Sequence, residues 1–170
     1  MASALKKNWS LISTIAVILI AAVGGYYVIN LKQGPYKSTD FISVQYKWGV
    51  GDSLANSYDS ATGIYQYLDS KDSLITKKFK LRSNEMIFLH SKANELGLWN
   101  LPEVVANKGA DLKSEKVLRY EMVFNYTGKT KKVIFMSDYT ENAVIGTSAN
   151  ELQQLLRKTI DEAEDRYSSN

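Results

Sequence analysis

No Lys, Arg, His, Asp or Glu occurs between Asn8 and Leu31, and the stretch Leu11 to Ile29 is 19 residues long. Few features constrain a fold more tightly. As a helix rising about 1.5 Å per residue, that stretch reaches roughly 28 Å, close to the hydrocarbon thickness of a bilayer. The reading is a single-pass signal anchor over residues 9–31, with Trp9 at one interface and Tyr26 and Tyr27 near the other. Lys6, Lys7 and the terminal amine modestly outweigh Lys32 and Lys37 across the span. The positive-inside rule then predicts a cytoplasmic segment of residues 1–8, and a C-terminal domain outside the cytoplasmic (inner) membrane. A cleaved signal peptide is the rival, with Ala22-Val23-Gly24 as its cut. Hydrophobicity that continues through Leu31 argues against it. Residues 32–40, holding Gly34-Pro35, read as a tether.

The remaining residues suffice to bury one core without staples. Their charge is balanced, 17 basic against 17 acidic from residue 41 to 170, so the formal +3 belongs to the N-terminal region. Nucleic-acid binding needs a net basic patch to neutralise phosphates, and that expectation is dropped. The absence of cysteine removes disulfides, thiolate nucleophiles and Cys-ligated zinc.

Phe41 to Trp48 alternates, with Ile42, Val44, Tyr46 and Trp48 on one side, and reads as a strand. Gly49 to Thr62 reads as a loop, and Ile64–Leu68 and Leu74–Leu81 as two strands around a polar turn. Met86, Leu89, Ala93 and Leu96 then fall at helical spacing behind Ser83, a candidate N-cap, and Gly97 with Pro102 supplies a stop. Val117–Tyr126 and Lys131–Met136 around Thr127-Gly128-Lys129 predict a hairpin. Ser148-Ala149-Asn150-Glu151 is a capping-box pattern ahead of Leu152, Leu155, Leu156, Ile160 and Ala163. The expected fold class is α+β: the transmembrane helix, then a two-layer domain over residues 41–167 with an antiparallel sheet of about five strands and two helices on one face, and a short tail at 168–170. Leu89, Ala93, Leu96, Leu152, Leu155, Leu156 and Ile160 should be buried. Leu98, Trp99 and Leu101 should fold back onto the helix just past its C-cap, the alternative for Trp99 being an outward interface anchor.

Motifs of chemistry are few. Gly51-Asp52-Ser53-Leu54 spells the signature of GDSL esterases and lipases, but the one histidine, His90, has Ile87 rather than Asp three residues before it. A serine without a positioned base is a weak nucleophile. His90 has no partner at metal-ligand spacing and reads as a boundary or surface residue. Asp69, Asp72 and Asp59 lack the Gly and Glu of a calcium loop, having Leu74 and Lys80 in those places. Gly49-Val50-Gly51 lacks the third glycine of a dinucleotide fingerprint. The runs Lys77, Lys78, Lys80, Arg82 and Lys129, Lys131, Lys132 could meet anionic headgroups, but read better as lysines keeping a sheet surface soluble.

Tyr65-Gln66-Tyr67-Leu68, Lys80-Leu81 and Glu95-Leu96-Gly97-Leu98-Trp99-Asn100-Leu101-Pro102-Glu103 together resemble small bacterial envelope domains of unknown function. In those a β-meander leads to a helix ending in such a turn, then a hairpin and a C-terminal helix. The likeness spans roughly residues 41–165. It implies an extracytoplasmic bacterial protein and carries no catalytic residue. The expectation for function is a non-enzymatic, membrane-tethered interaction module or accessory subunit with a protein partner and the lipid bilayer around residues 9–31. The alternative is a ligand-binding or inhibitory envelope domain whose pocket or groove lies on the open sheet face, using Tyr65, Tyr67 and neighbouring aromatics. Tyr65, Tyr67 and Trp99 are the candidate interaction residues; no catalytic residue, metal or cofactor is assigned.

Overall fold

The structure, a computed structural model, describes residues 9–33 and 36–169, except the side chains of residues 10, 11 and 27–33. The expected cytoplasmic segment at 1–8, the Gly34-Pro35 part of the tether and the last residue of the tail lie outside the described residues. The chain divides into two compact units, Met1–Pro35 and Tyr36–Asn170.

The first unit holds α1, Trp9–Gln33, one continuous helix as its uninterrupted pattern predicts. Among the described residues no helix is long and apolar enough to cross a membrane. The expected transmembrane helix is corrected on this finding, and with it the signal anchor, the inner-membrane placement, the extracytoplasmic domain and the bilayer as partner.

The second unit is α+β, and its sheet has seven strands rather than five. They are β1 (Phe41–Gly49), β2 (Asn56–Asp59), β3 (Ile64–Leu68), β4 (Leu74–Lys78), β5 (Val104–Val105), β6 (Arg119–Tyr126) and β7 (Lys129–Met136). The order is β4-β3-β2-β1-β6-β7-β5. Every pair is antiparallel except β5 with β7, which makes the sheet mixed and corrects the all-antiparallel expectation. Two strands escaped the hydrophobic pattern for different reasons. β2 lies in the polar stretch read as a loop, and forms because β1 and β3 offer it a ladder on each side. β5 is two residues long, held as Ile134 N–H donates to the Glu103 carbonyl at 2.7 Å.

Helices α2 (Ser83–Glu95) and α3 (Ala143–Ser168) complete the unit. α3 starts six residues earlier than the Ser148 pattern suggests, at Ala143 rather than Ala149. Asn142 is its N-cap, its side chain accepting from the N–H groups of Val144 and Ile145. The cap of α2 likewise falls at Arg82 rather than Ser83, with Glu85 reaching back to the Arg82 N–H at 2.7 Å. Glu85 also takes a two-pronged bond from Arg166 of α3 at 2.6 and 3.1 Å, which ties the helices together.

The core lies between the helices and the inner face of the sheet. Leu89, Ala93, Leu152, Leu156 and Ile160 are buried there with Val44, Met122 and Phe124, while Leu96 and Leu155 are only partly buried. The alternation of β1 breaks at its start. A register shift against β6 between Phe41 and Ser43 leaves Ile42 exposed and packs Phe41 against Phe124 and Tyr126 instead. At the β2–β3 turn Gly63 has φ +75°, and a Cβ there would lie 2.7 Å from the Phe79 carbonyl oxygen. Only glycine fits that approach.

Candidate functional site

Antiparallel pairing puts side chains of alternate residues on one face. Tyr46 opposite Tyr58, Tyr58 opposite Tyr65 and Trp48 opposite Tyr120 therefore all share the inner face. There they make a row of rings across β6, β1 and β3. Tyr120 lies 6.4 Å from Tyr46, Tyr46 4.8 Å from Trp48, Trp48 6.2 Å from Tyr65 and Tyr65 5.1 Å from Tyr67. The opposite face is polar, with Gln45, Lys47, Asp59 and Gln66 around a shallow hollow of about 290 Å³. The aromatic face is thus the helix side of the sheet, not the open side on which a ligand-binding surface was expected.

Helix α3 does not cover the row completely. Two hollows of about 680 and 580 Å³ flank it and share Trp48, Asn56, Arg157, Asp161 and Asp165. They form one groove. Its wall is the stripe Gln153, Arg157, Asp161 and Asp165, spaced by four and therefore stacked on one side of the helix, next to the buried series Leu152, Leu156, Ile160 and Ala163. Arg157 sits over the Trp48 ring, its guanidinium 4.9 Å from the centroid, and its Nε donates to both carboxylate oxygens of Asp161 at 3.0 Å. Tyr46 Oη donates to Gln153 Oε1 at 3.2 Å. Lys77 Nζ lies 5.6 Å over the Tyr67 ring and 2.5 Å from Glu164.

The phenols here are held neutral. Burial pushes Tyr46 far up and Tyr65 up to about 12, so at neutral pH neither offers a base. What the arrangement offers a ligand is the half-buried rings of Tyr67 and Tyr120 and the carboxylates along the wall; Tyr46, Trp48 and Tyr65 are buried, and the amides of Asn56 and Gln153 are engaged within the chain.

Of the candidate residues, Tyr65 and Tyr67 come together in this groove, Tyr65 buried and Tyr67 half-buried. Trp99 does not. It stacks on Tyr36 at 4.1 Å and meets Tyr126 edge-on at 5.4 Å, and its indole N–H donates to Asn94 Oδ1. Lys131 Nζ donates to the carbonyls of Trp99 and Leu101 at 3.3 and 2.6 Å, clamping the turn. Burial pulls the Lys131 pKa down. The Tyr36 contact moves the start of the domain into the expected tether. The same cluster holds His90, 5.7 Å from Phe41 and 5.8 Å from Tyr126. His90 is 6% exposed, which corrects the boundary or surface reading. A residue at the edge of an apolar stripe is covered when aromatic rings from neighbouring elements close over it.

The GDSL serine, Ser53, is exposed in the β1–β2 connection, where Asp52 pairs with Lys113 at 2.8 Å. Asp69 accepts from the N–H groups of Lys71 and Ser73, an Asx turn rather than a metal ligand set. The basic runs divide between faces: Lys77 meets Glu164, Lys131 the turn, and Lys132 meets Glu121 at 3.7 Å. Sequence reasoning missed Trp48, Tyr120, Arg157 and Asp161. The four-residue spacing on α3 was the available signal. Comparison of the chain with protein-family models, with curated proteins and with solved structures finds no match.

Proposed function

We propose that the second unit is a non-enzymatic binding module, an accessory interaction domain whose receiving surface is the groove beside α3. One observation carries this reading: a groove open along α3 has the half-buried rings of Tyr120 and Tyr67 in its lining, beside the carboxylates of Asp161, Glu162, Glu164 and Asp165. Aromatic residues and Arg are also the side chains that binding surfaces favour. Neutral phenols, and a histidine sealed in a different cluster, support binding over acid–base chemistry.

The reading is tested on the full-length chain by NMR. A panel of short basic, acidic and apolar peptides and a neutral oligosaccharide is titrated while the Trp48 indole and the Asn56 and Gln153 side-chain amides are followed. At least one class should shift these signals in a saturable way. If every class leaves them in place, the groove is not a binding surface.

A further inference from the structure

We infer that residues 36–40 are a pH-operated strap: a charged His90 releases Tyr36 from its ring stack and frees the segment, while the sheet and both domain helices stay folded. The Tyr36 ring stacks on Trp99 at 4.1 Å and tilts against Tyr126 at 4.8 Å, and its backbone bonds to His90. Lys37, Ser38 and Thr39 after it are exposed. At the far end of the segment the Thr127 N–H donates to the Asp40 carbonyl at 2.9 Å, where β1 begins. The strap is thus held by the ladder at one end and by the rings around His90 at the other.

That ring cluster has no place for a charge. His90 is buried, and its Nε2 and the Tyr126 Oη are both buried atoms without a hydrogen-bond partner among the described residues. Burial holds the Tyr126 phenol neutral, so it supplies no countercharge. The charged groups on the surrounding elements are of the wrong sign or engaged elsewhere. Lys129 of β7 lies 5.5 Å over the Tyr36 ring, Lys131 clamps the Trp99 turn with Glu103 acting on it, and Lys37 sits on the strap itself. Asp40 accepts from its neighbour Thr39 at 3.3 Å, and on α2 Glu95 pairs with Lys92 at 2.6 Å. Burial therefore lowers the His90 pKa, against the Tyr36 backbone bond, which favours the proton.

A buried imidazolium without a countercharge needs water, and water enters through the least firmly held wall. Phe41 and Tyr126 belong to paired strands, and the Trp99 turn is fixed by Lys131 and by the indole bond to Asn94. Tyr36 is half-buried and lies outside the ladder. Its release opens Nε2 and the Tyr126 Oη to solvent together. It also adds five residues, roughly 17 Å when extended, to the connector ahead of β1.

The test is an NMR titration of the full-length chain from pH 7.5 to pH 5, following the His90 Cε1 proton, the Trp99 indole N–H and the amides of residues 37–40. The strap signals should move with the same midpoint as His90, below the ordinary histidine value. Amide exchange in the strap should rise about ten-fold through that midpoint while β1 and β6 stay protected, the mark of a local opening. His90→Gln should keep the strap closed across the range. Tyr36→Ala, which removes the wall and leaves His90 in place, should expose residues 37–40 at pH 7.5 and return the His90 midpoint toward its ordinary value. Strap signals that move in His90→Gln as they do in the parent would overturn the inference, as would a His90 that titrates beneath a strap still protected. Loss of protection in β1 at the same midpoint would mean that the domain opens as a whole, and would overturn it too.

Discussion

His90 shows how far one side chain can depart from its sequence context. Three rings surround it, those of Phe41, Trp99 and Tyr126, and its Nε2 has no hydrogen-bond partner among the described residues. Burial lowers its pKa below the ordinary 6.5, with a hydrogen bond to the backbone of Tyr36 acting the other way. A depressed histidine pKa means that the unfolded chain binds the proton more readily than the folded one. The contribution of His90 to stability is therefore whole above the ordinary value and is lost as pH falls below it toward the folded value. Urea unfolding between pH 7 and pH 5 should show a steeper loss of stability for the parent chain than for His90→Gln, which cannot titrate. Parallel slopes would mean that the imidazole is not held neutral by its surroundings.

At the scale of elements, two segments show different outcomes of the same physics. The Gly97–Pro102 turn behaves as its residues suggest: Gly97 takes φ +73°, Leu98 and Leu101 are buried, and Trp99 folds back. Trp99 ends half-buried, because its ring lies between Tyr36 and Tyr126 at the rim and not beneath the helices. Trp99→Ala should cost about 3 kcal/mol, the low end for a large aromatic, and lower the chemical-denaturation midpoint without changing the slope. An unchanged midpoint would sink the packing role. Helix α3 runs the other way, since the Ser148 pattern is a good cap that goes unused. Asn142 caps earlier, and the extra turn carries Ile145 against the core and Gly146 against the Tyr139 ring. Local capping preferences differ by about 1 kcal/mol, less than such packing supplies.

At the scale of the whole second unit, the sheet order places β1 and β6 at the centre, each flanked by neighbours on both sides, while β4 and β5 form the edges. β4 presents Leu74, Thr76 and Lys78 to solvent and is guarded by its lysines against further pairing. Amides of β1 and β6 should be the slowest in hydrogen exchange and those of β4 and β5 the fastest, because edge strands open with less loss of burial. Rapid exchange throughout β1 would contradict the sheet order. The groove belongs to this scale too. Its floor comes from β1, β3 and β6 and its wall from α3, the last of these elements in chain order.

What the sequence determined by itself was whatever depends on near neighbours. Alternation marks β1, β3, β6 and β7, the spacing of Leu89 and Ala93 and of Leu152, Leu156 and Ile160 marks the two domain helices, and Gly97 with Pro102 marks the turn, because periods of 2 and 3.6 are local properties. Tyr65 and Tyr67 could be picked out as aromatic neighbours in one strand, but nothing local says that the inner face they share with Trp48 and Tyr120 is also the face of Arg157. Only the tertiary structure decided that, along with β2, the parallel β5 and the burial of His90. Each depends on partners far away in the chain: a ladder on both flanks, a ring cluster from four segments, or a helix stripe set against a strand face by the packing of everything between them.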